Sequence, residues 1–268
     1  KYPILPLRNT VLFPNQIIPI YIGRKQSLKL ITDLSGSDNK TIVLVAQKDG
    51  NVEVPEEKDL YEYATIGTVM KVFDMPDNSK SAIVKGVKRV KINNFIKGTD
   101  YFSCTVDNVE EVLDINDSDI SSMIGNLKSL FSNLIEIAPY LSDEQSKVLN
   151  NINNPGKLSD KAISLMNIQT SEKQDILAEF DIRKRVEKSL VIINKAIQQI
   201  ELGERIQADV QDEISKSQKE YYLREQMKAI KKELGEDESN IELQELEDKI
   251  KKAKMPKDVL KVANKEMK

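Results

Sequence analysis

The 268 residues carry 40 basic and 43 acidic side chains, a formal net charge of -3, and no histidine at all. So even a charge balance argues against a chain built mainly to grip polyanions. The missing histidine excludes a Ser-His-Asp triad, a Cys-His pair and imidazole metal sites within the chain.

Residues 1–112 read as a β-rich lobe. Tyr2–Leu7, Gln16–Ile22, Thr41–Gln47, Thr65–Met75, Ser81–Val87, Arg89–Lys97 and Tyr101–Glu110 are short runs rich in Val, Ile, Thr and aromatics, separated by turn residues. Gly23-Arg24 opens one helix, Lys25–Leu34, with Leu28, Ile31 and Leu34 on one face. One helix among so many strands implies a curled sheet or partial barrel, not alternating βαβ units. Pro14 and Pro19 favour an edge or a bulge at the second strand. Leu12, Phe13 and Pro14 are a candidate contact site there, as an exposed apolar edge that accepts an extended peptide. The alternative is a core-facing Phe13 beside a tight turn. Lys85, Lys88, Arg89 and Lys91 read as a solvated charged face, because no aromatic platform for nucleic acid interleaves with them. The single cysteine, Cys104, excludes an internal disulfide and points to a reducing compartment. Its alternating strand-like surroundings predict a buried structural thiol.

The period turns helical from Asp114, and residues 113–180 read as a compact bundle. Helices are predicted over about 119–137, 143–152, 155–167 and 172–180. Capping-box spacing appears at Ser142/Gln145, Ser171/Gln174 and Ser239/Glu242, and Asn154-Pro155 pairs an N-cap with proline at the first helical position. Residues 181–235 then read as one helix of roughly 80 Å at 1.5 Å rise per residue. Ile182, Val186, Leu190, Ile193, Ile197 and Ile200 make a continuous seam that should pack on the bundle. Between Glu201 and Glu220 only Leu202, Ile206, Val210 and Ile214 are strongly apolar, and Gly203 costs about 1 kcal/mol against alanine. Leu223, Met227, Ile230 and Leu234 restore the seam before Gly235 ends the helix. Residues 236–268 read as a helical linker: an acidic turn at Glu236–Glu238, a charged helix over Ile241–Ala253 with a solvated Lys249–Lys254 face, and a stop at Met255-Pro256.

Tyr221, Tyr222, Leu223 and Met227 form the second candidate contact site, since aromatic and Met side chains adapt to many partner sequences. Packing of the same residues against neighbouring helices or a further module is the alternative. No apolar run approaches the roughly 20 residues that cross a bilayer, and no charged-then-apolar leader precedes the first strand. The chain opens on Lys1 and ends shortly after Pro256, so a piece of a longer protein is expected.

Three segments resemble the Lon family of ATP-dependent serine proteases: LPLRNTVLFPNQIIPIYIGRKQSL (Leu5–Leu28), YATIGTVMKVFDMPDNSKSAIVKGVKRVKI (Tyr63–Ile92) and EYYLREQMKAIKKELGE (Glu220–Glu236). They follow the family's order over essentially the whole chain. The resemblance implies an α+β fold: a Lon-type, PUA-like curled β lobe, then a helical bundle and one very long helix. It implies a substrate-recognition and hexamer-organising region that hands unfolded or damaged proteins to an AAA+ ring and a protease chamber in the cytoplasm. ATP and Mg are expected in the AAA+ module, beyond Lys268, and the family's Ser-Lys dyad lies further still. The chain has no G-x-x-x-x-G-K-[ST] and no catalytic, cofactor or metal-binding residue is assigned to it. Neither nucleic acid nor a membrane is an expected partner. The alternatives are an assembly or spacer element whose long helices pair between subunits, and a stand-alone chaperone-like adaptor.

Overall fold

The computed structural model describes residues 1–98, 100–113, 117–234, 245, 246, 248–250, 252, 253 and 259. The chain divides into two compact units, Lys1–Glu201 and Leu202–Lys268.

The first unit begins with a six-stranded sheet in the order β2-β5-β4-β3-β1-β6. The strands are β1 (Tyr2–Leu7), β2 (Ile17–Ile22), β3 (Thr41–Ala46), β4 (Tyr63–Asp74), β5 (Lys80–Lys97) and β6 (Phe102–Asp107). Only β1 and β3 run parallel. The 18-residue β5 pairs with β2 along its first part and with β6 along its last, while β4 follows it from Lys80 to Lys91. The sheet therefore closes through β5, β4, β3, β1 and β6, and closure removes the exposed edges of those strands. β2 stays outside the ring as an edge strand, in keeping with its Pro19.

Two strands were expected over 81–97, and one is found. The expected break at Lys88 is a β-bulge: Gly86 pairs with Gly67 and Lys88 with Ile66, leaving Val87 as the extra residue. No turn forms because the 13–16 segment clamps Gly86. The Asn15 N–H donates to the Gly86 carbonyl (2.9 Å) and the Gly86 N–H to the Gln16 carbonyl (2.8 Å). A Cβ at Gly86 would stand 2.2 Å from the Phe13 carbonyl oxygen, so the approach demands glycine. The extra residue also reverses the alternation. Ala82 and Val84 join one core cluster, whereas Val90 and Ile92 join another.

The barrel interior is filled from all five ring strands by Ile4, Val43, Ala64, Ile66, Val90 and Cys104 among others. On the outer side, helix α1 (Lys25–Ser35) lays Leu30, Ile31 and Leu34 over Leu5, Ile42 and Val84. A third cluster unites α2 (Asp117–Ile137), α3 (Asp143–Asn150), α4 (Pro155–Leu165), α5 (Thr170–Leu177) and the start of α6 (Ile182–Glu233). Val11, Phe13 and Ala46 of the lobe join this helical core, so lobe and helices share one hydrophobic interior.

The caps explain where the helices start. Gln145 accepts the Ser142 N–H (3.0 Å) at α3, and Asn154 accepts the Lys157 N–H (2.9 Å) at α4 with Pro155 first in the helix. At α5 the box is made by Gln169 and Glu172, not by Ser171 and Gln174. Gln174 is buried and donates to the Tyr63 carbonyl of β4 (2.7 Å), a tertiary bond that the local spacing does not reveal. In α6, Ile182, Val186 and Ile193 are buried, and Leu190, Ile197 and Ile200 pack beside them. The first seam thus anchors the helix.

In the second unit, α6 continues to Glu233 with every residue from Leu202 onward exposed. Gly235, the Glu236–Glu238 turn, the Ser239/Glu242 cap and the Met255-Pro256 stop lie outside the described residues, as do residues 241–244, 247, 251 and 254 of the two linker segments. Residues 245, 246, 248–250 and 252 are helical, and Lys249 reaches Glu245 at 3.9 Å. No described helix is long and apolar enough to cross a membrane.

Burial pushes the Cys104 thiol up to about 11, so at pH 8 it stays protonated. A thiol reagent should leave the native chain unmodified at that pH and react fully once denaturant opens the barrel. Gly86→Ala should lower unfolding stability by about 1–3 kcal/mol in urea melts, since the Phe13 carbonyl must move.

Candidate functional site

All six residues of β2, IIPIYI, are apolar. Alternation turns Ile18, Ile20 and Ile22 toward the core and leaves Ile17, Pro19 and Tyr21 exposed. Register then builds two rows across three strands. Tyr21 pairs with Ser81, which pairs with Phe73; Pro19 pairs with Ile83, which pairs with Lys71. Tyr21 is 64% and Phe73 40% exposed, and Lys71 Nζ stands 4.8 Å above the Phe73 ring. Met75 at the end of β4 and Ile17 at the start of β2 are also exposed. The result is an apolar outer face on an edge strand, a feature of interaction surfaces.

That face is held rigid. The Tyr21 hydroxyl donates to Asp77 Oδ2 (2.9 Å) in the β4–β5 turn, and Asp77 Oδ1 accepts the Ser79 N–H (3.1 Å). Hydrogen bonds from Ser79, then from Tyr21, hold the Asp77 carboxyl below its usual range. The turn also needs Asn78 at φ 62°, a conformation Asn tolerates. Sequence patterning passed over this face, although an unbroken apolar run on a proline-bearing edge strand is its signal.

The candidates named from sequence are placed differently. Leu12 and Phe13 are each only 1% exposed, and Pro14 is half-buried. Leu12 belongs to the core under α1 and Phe13 to the helical core. This corrects the reading of an exposed apolar edge, because the 13–16 clamp on Gly86 folds these side chains inward. Tyr221, Tyr222, Leu223 and Met227 are all exposed, Tyr221 at 69%, in the second unit. Leu202, Ile206, Val210, Ile214, Ile230 and Leu234 of the same helix are exposed with them.

Arg89 is a second correction. Lys85 and Lys88 are exposed as expected, but Arg89 is buried. The bulge at Val87 turns it from the side of Ile83 and Lys85 to the side carrying the helices. There Arg89 Nη2 meets Asp160 Oδ2 of α4 (2.5 Å), its Nη1 donates to the Glu179 carbonyl (3.0 Å), and its Nε lies 3.2 Å from Glu111. Arg185 of α6 repeats the pattern. Its Nε donates to the Glu179 carbonyl (2.8 Å), and its terminal nitrogens reach Glu111 (2.8 Å) and Asp160 (3.5 Å). Several of these nitrogens sit at ion-pair distance without hydrogen-bond alignment, so charge more than direction holds the group. Burial pushes the Asp160 carboxyl up against the pull of Arg89 and Arg185. Glu111 is delivered by reciprocal backbone bonds of its neighbour: Val112 N–H to the Phe180 carbonyl (3.0 Å) and Ile182 N–H to the Val112 carbonyl (2.9 Å).

A closed barrel with a rigid apolar outer face, locked onto a helical core, defines a binding module of the Lon N-terminal fold. It superimposes on the "N terminal domain of Mycobacterium avium complex Lon protease" with a TM-score of 0.58 at 18% identity, over 74% of this chain and 97% of that one. Residues 1–195 match the model of the ATP-dependent protease La (LON) substrate-binding domain, and the chain belongs to that family. It is 40% identical over 267 residues to a Lon protease of Koribacter versatilis (strain Ellin345) and 38% identical to one of Dictyoglomus thermophilum (strain ATCC 35947 / DSM 3960 / H-6-12). Both alignments cover 99% of this chain and 33% of the relative, so the chain spans a third of their length.

Asp160→Leu should cost about 3–5 kcal/mol in denaturant melts, because it strands two buried guanidiniums. The exposed neighbour Lys88, changed to alanine, should stay within about 0.5 kcal/mol of the parent.

Proposed function

We propose that this chain is the substrate-recognition region of a Lon-type ATP-dependent protease, and that the outer face of β2, β5 and β4 makes the first contact with unfolded or damaged proteins. The rows Tyr21–Ser81–Phe73 and Pro19–Ile83–Lys71, exposed at their outer members and half-buried at Ser81 and Ile83, carry this reading. Such a face takes up apolar side chains of many sequences, and the flanking Lys71 and Lys85 keep it soluble. Tyr221, Tyr222, Leu223 and Met227 supply a second apolar surface of the same adaptable kind. In a hexamer, six weak sites raise the effective concentration of substrate well beyond one site's affinity. The captured chain then passes to an AAA+ module that binds ATP and Mg, and to a protease chamber, in the cytoplasm.

A second reading, an assembly element, is favoured by the exposed stripe from Leu202 to Leu234, whose spacing suits pairing with another helix. Crosslinking of a photoreactive unfolded protein to the chain separates the two. Labels on β2 and β4 support capture by the lobe, and labels confined to residues 202–234 overturn it.

Tyr21→Ser together with Phe73→Ser should weaken binding of an unfolded model protein by about tenfold or more in anisotropy titrations, given the apolar area lost. Melting should change little, as both side chains are exposed. In the complete protease, Tyr221→Ala with Met227→Ala should slow degradation of unfolded substrate more than basal ATP hydrolysis. Equal losses of both would assign those residues to packing.

A further inference from the structure

A cleft opens between β1, β2 and the amino-terminal end of α1, and Pro19 and Tyr21 of the outer face stand on its border. Its main chamber has a volume of about 460 Å³, within the range of ligand sites, and an adjoining one about 270 Å³. Leu5, Leu7, Ile18, Ile20 and Ile22 line the main chamber with apolar side chains. Arg24, Ser27, Glu53 and Pro6 border both chambers, and Lys25 borders the smaller.

The polar end of the cleft is uncompensated. Arg24 is the N-cap of α1, makes no side-chain cap, and no acidic residue stands in the first turn. Lys25, Gln26 and Ser27, whose amide groups lack partners inside any helix, border the smaller chamber at the positive end of the helix dipole. Ser27 is 7% exposed, and its hydroxyl has no hydrogen-bond partner among the described residues. The residue lines both chambers, and its hydroxyl is free to donate to or accept from a ligand in the cleft. Arg8 is paired with Glu53 at 3.0 Å, which leaves Arg24 and Lys25 as surplus positive charge. The Arg24 guanidinium is steadied by donating to Gln47 Oε1, and Gln47 is itself held by the Asp49 and Val52 carbonyls (3.2 and 3.0 Å).

The geometry points to a carboxylate-binding site: the cleft takes an extended apolar peptide whose carboxylate docks at the Lys25–Ser27 amides, the Ser27 hydroxyl and Arg24. The apolar wall fits the peptide's side chains, and the charge surplus selects the anion. This inference deepens the capture reading above and rests on it, since Pro19 and Tyr21 border both surfaces; a failure of carboxylate selectivity alone leaves apolar capture standing.

Backbone-amide NMR of the isotope-labelled chain tests it with three probes. They are acetyl-Leu-Val-Leu-Ala with a free carboxylate, the same peptide as its carboxamide, and the carboxamide with an internal glutamate. The free acid should shift the Lys25, Gln26 and Ser27 amides, and the plain carboxamide should bind about tenfold more weakly. A response to the glutamate peptide assigns the site to side-chain carboxylates as well; its absence restricts the site to chain ends. Ser27→Ala and Arg24→Gln should each weaken the free acid by about tenfold, with Arg24→Lys retaining most of the binding. Unchanged amide positions elsewhere verify the fold of each variant. Equal binding of acid and carboxamide overturns the proposal. So does a shift of the Lys25–Ser27 amides by inorganic phosphate when no carboxylate peptide moves them.

Discussion

Three charges buried between sheet and helices, with the exposed Glu111 at their rim, hold the first unit together. Arg89 and Arg185 face Asp160 and Glu111, two positive charges against two negative, with the Glu179 carbonyl shared between the guanidiniums. Arg89, Arg185 and Asp160 alone would each be costly in an apolar interior, and each is tolerable only because the other charges are present. The four side chains come from β5, the segment after β6, α4 and α6, so the balance exists only when the barrel and helices sit in one arrangement. Hydrophobic contact around Phe13 and Ala46 supplies attraction between the layers. The charges set the register in which that attraction operates.

That arrangement depends on a single inserted residue. The bulge at Val87 turns β5 so that Arg89 looks toward the helices while Ile83 and Lys85 look out. The same strand thus carries a structural charge on one half and part of an apolar recognition face on the other. The clamp at Gly86 that stabilises the bulge also draws Leu12 and Phe13 into the core. Burial of these side chains and exposure of Tyr21 and Phe73 are consequences of one local geometry.

Much of the architecture was legible in advance because it is governed by short-range physics. β1 matches its predicted span, and α1, α3 and α4 begin where their caps and periodicity place them. The seam from Ile182 to Ile200 is buried on the side its spacing selects. The α5 cap was misplaced because Gln174 answers to Tyr63, which lies 111 residues earlier. The outer face was overlooked because a wholly apolar strand reads as buried on both sides, and only topology shows that β2 stands outside the ring.

By itself, then, the sequence determined the elements, the α+β class, the anchored start of the long helix and the family resemblance, since periodicity, capping and motif order are properties of neighbouring residues. Tertiary structure alone decided which side of each strand meets solvent. A one-residue change of register inverts every side chain that follows it. Arg89, Leu12, Phe13 and Tyr21 took their roles from the bulge, the Gly86 clamp and the edge position of β2, and each of these arises where segments distant in sequence meet.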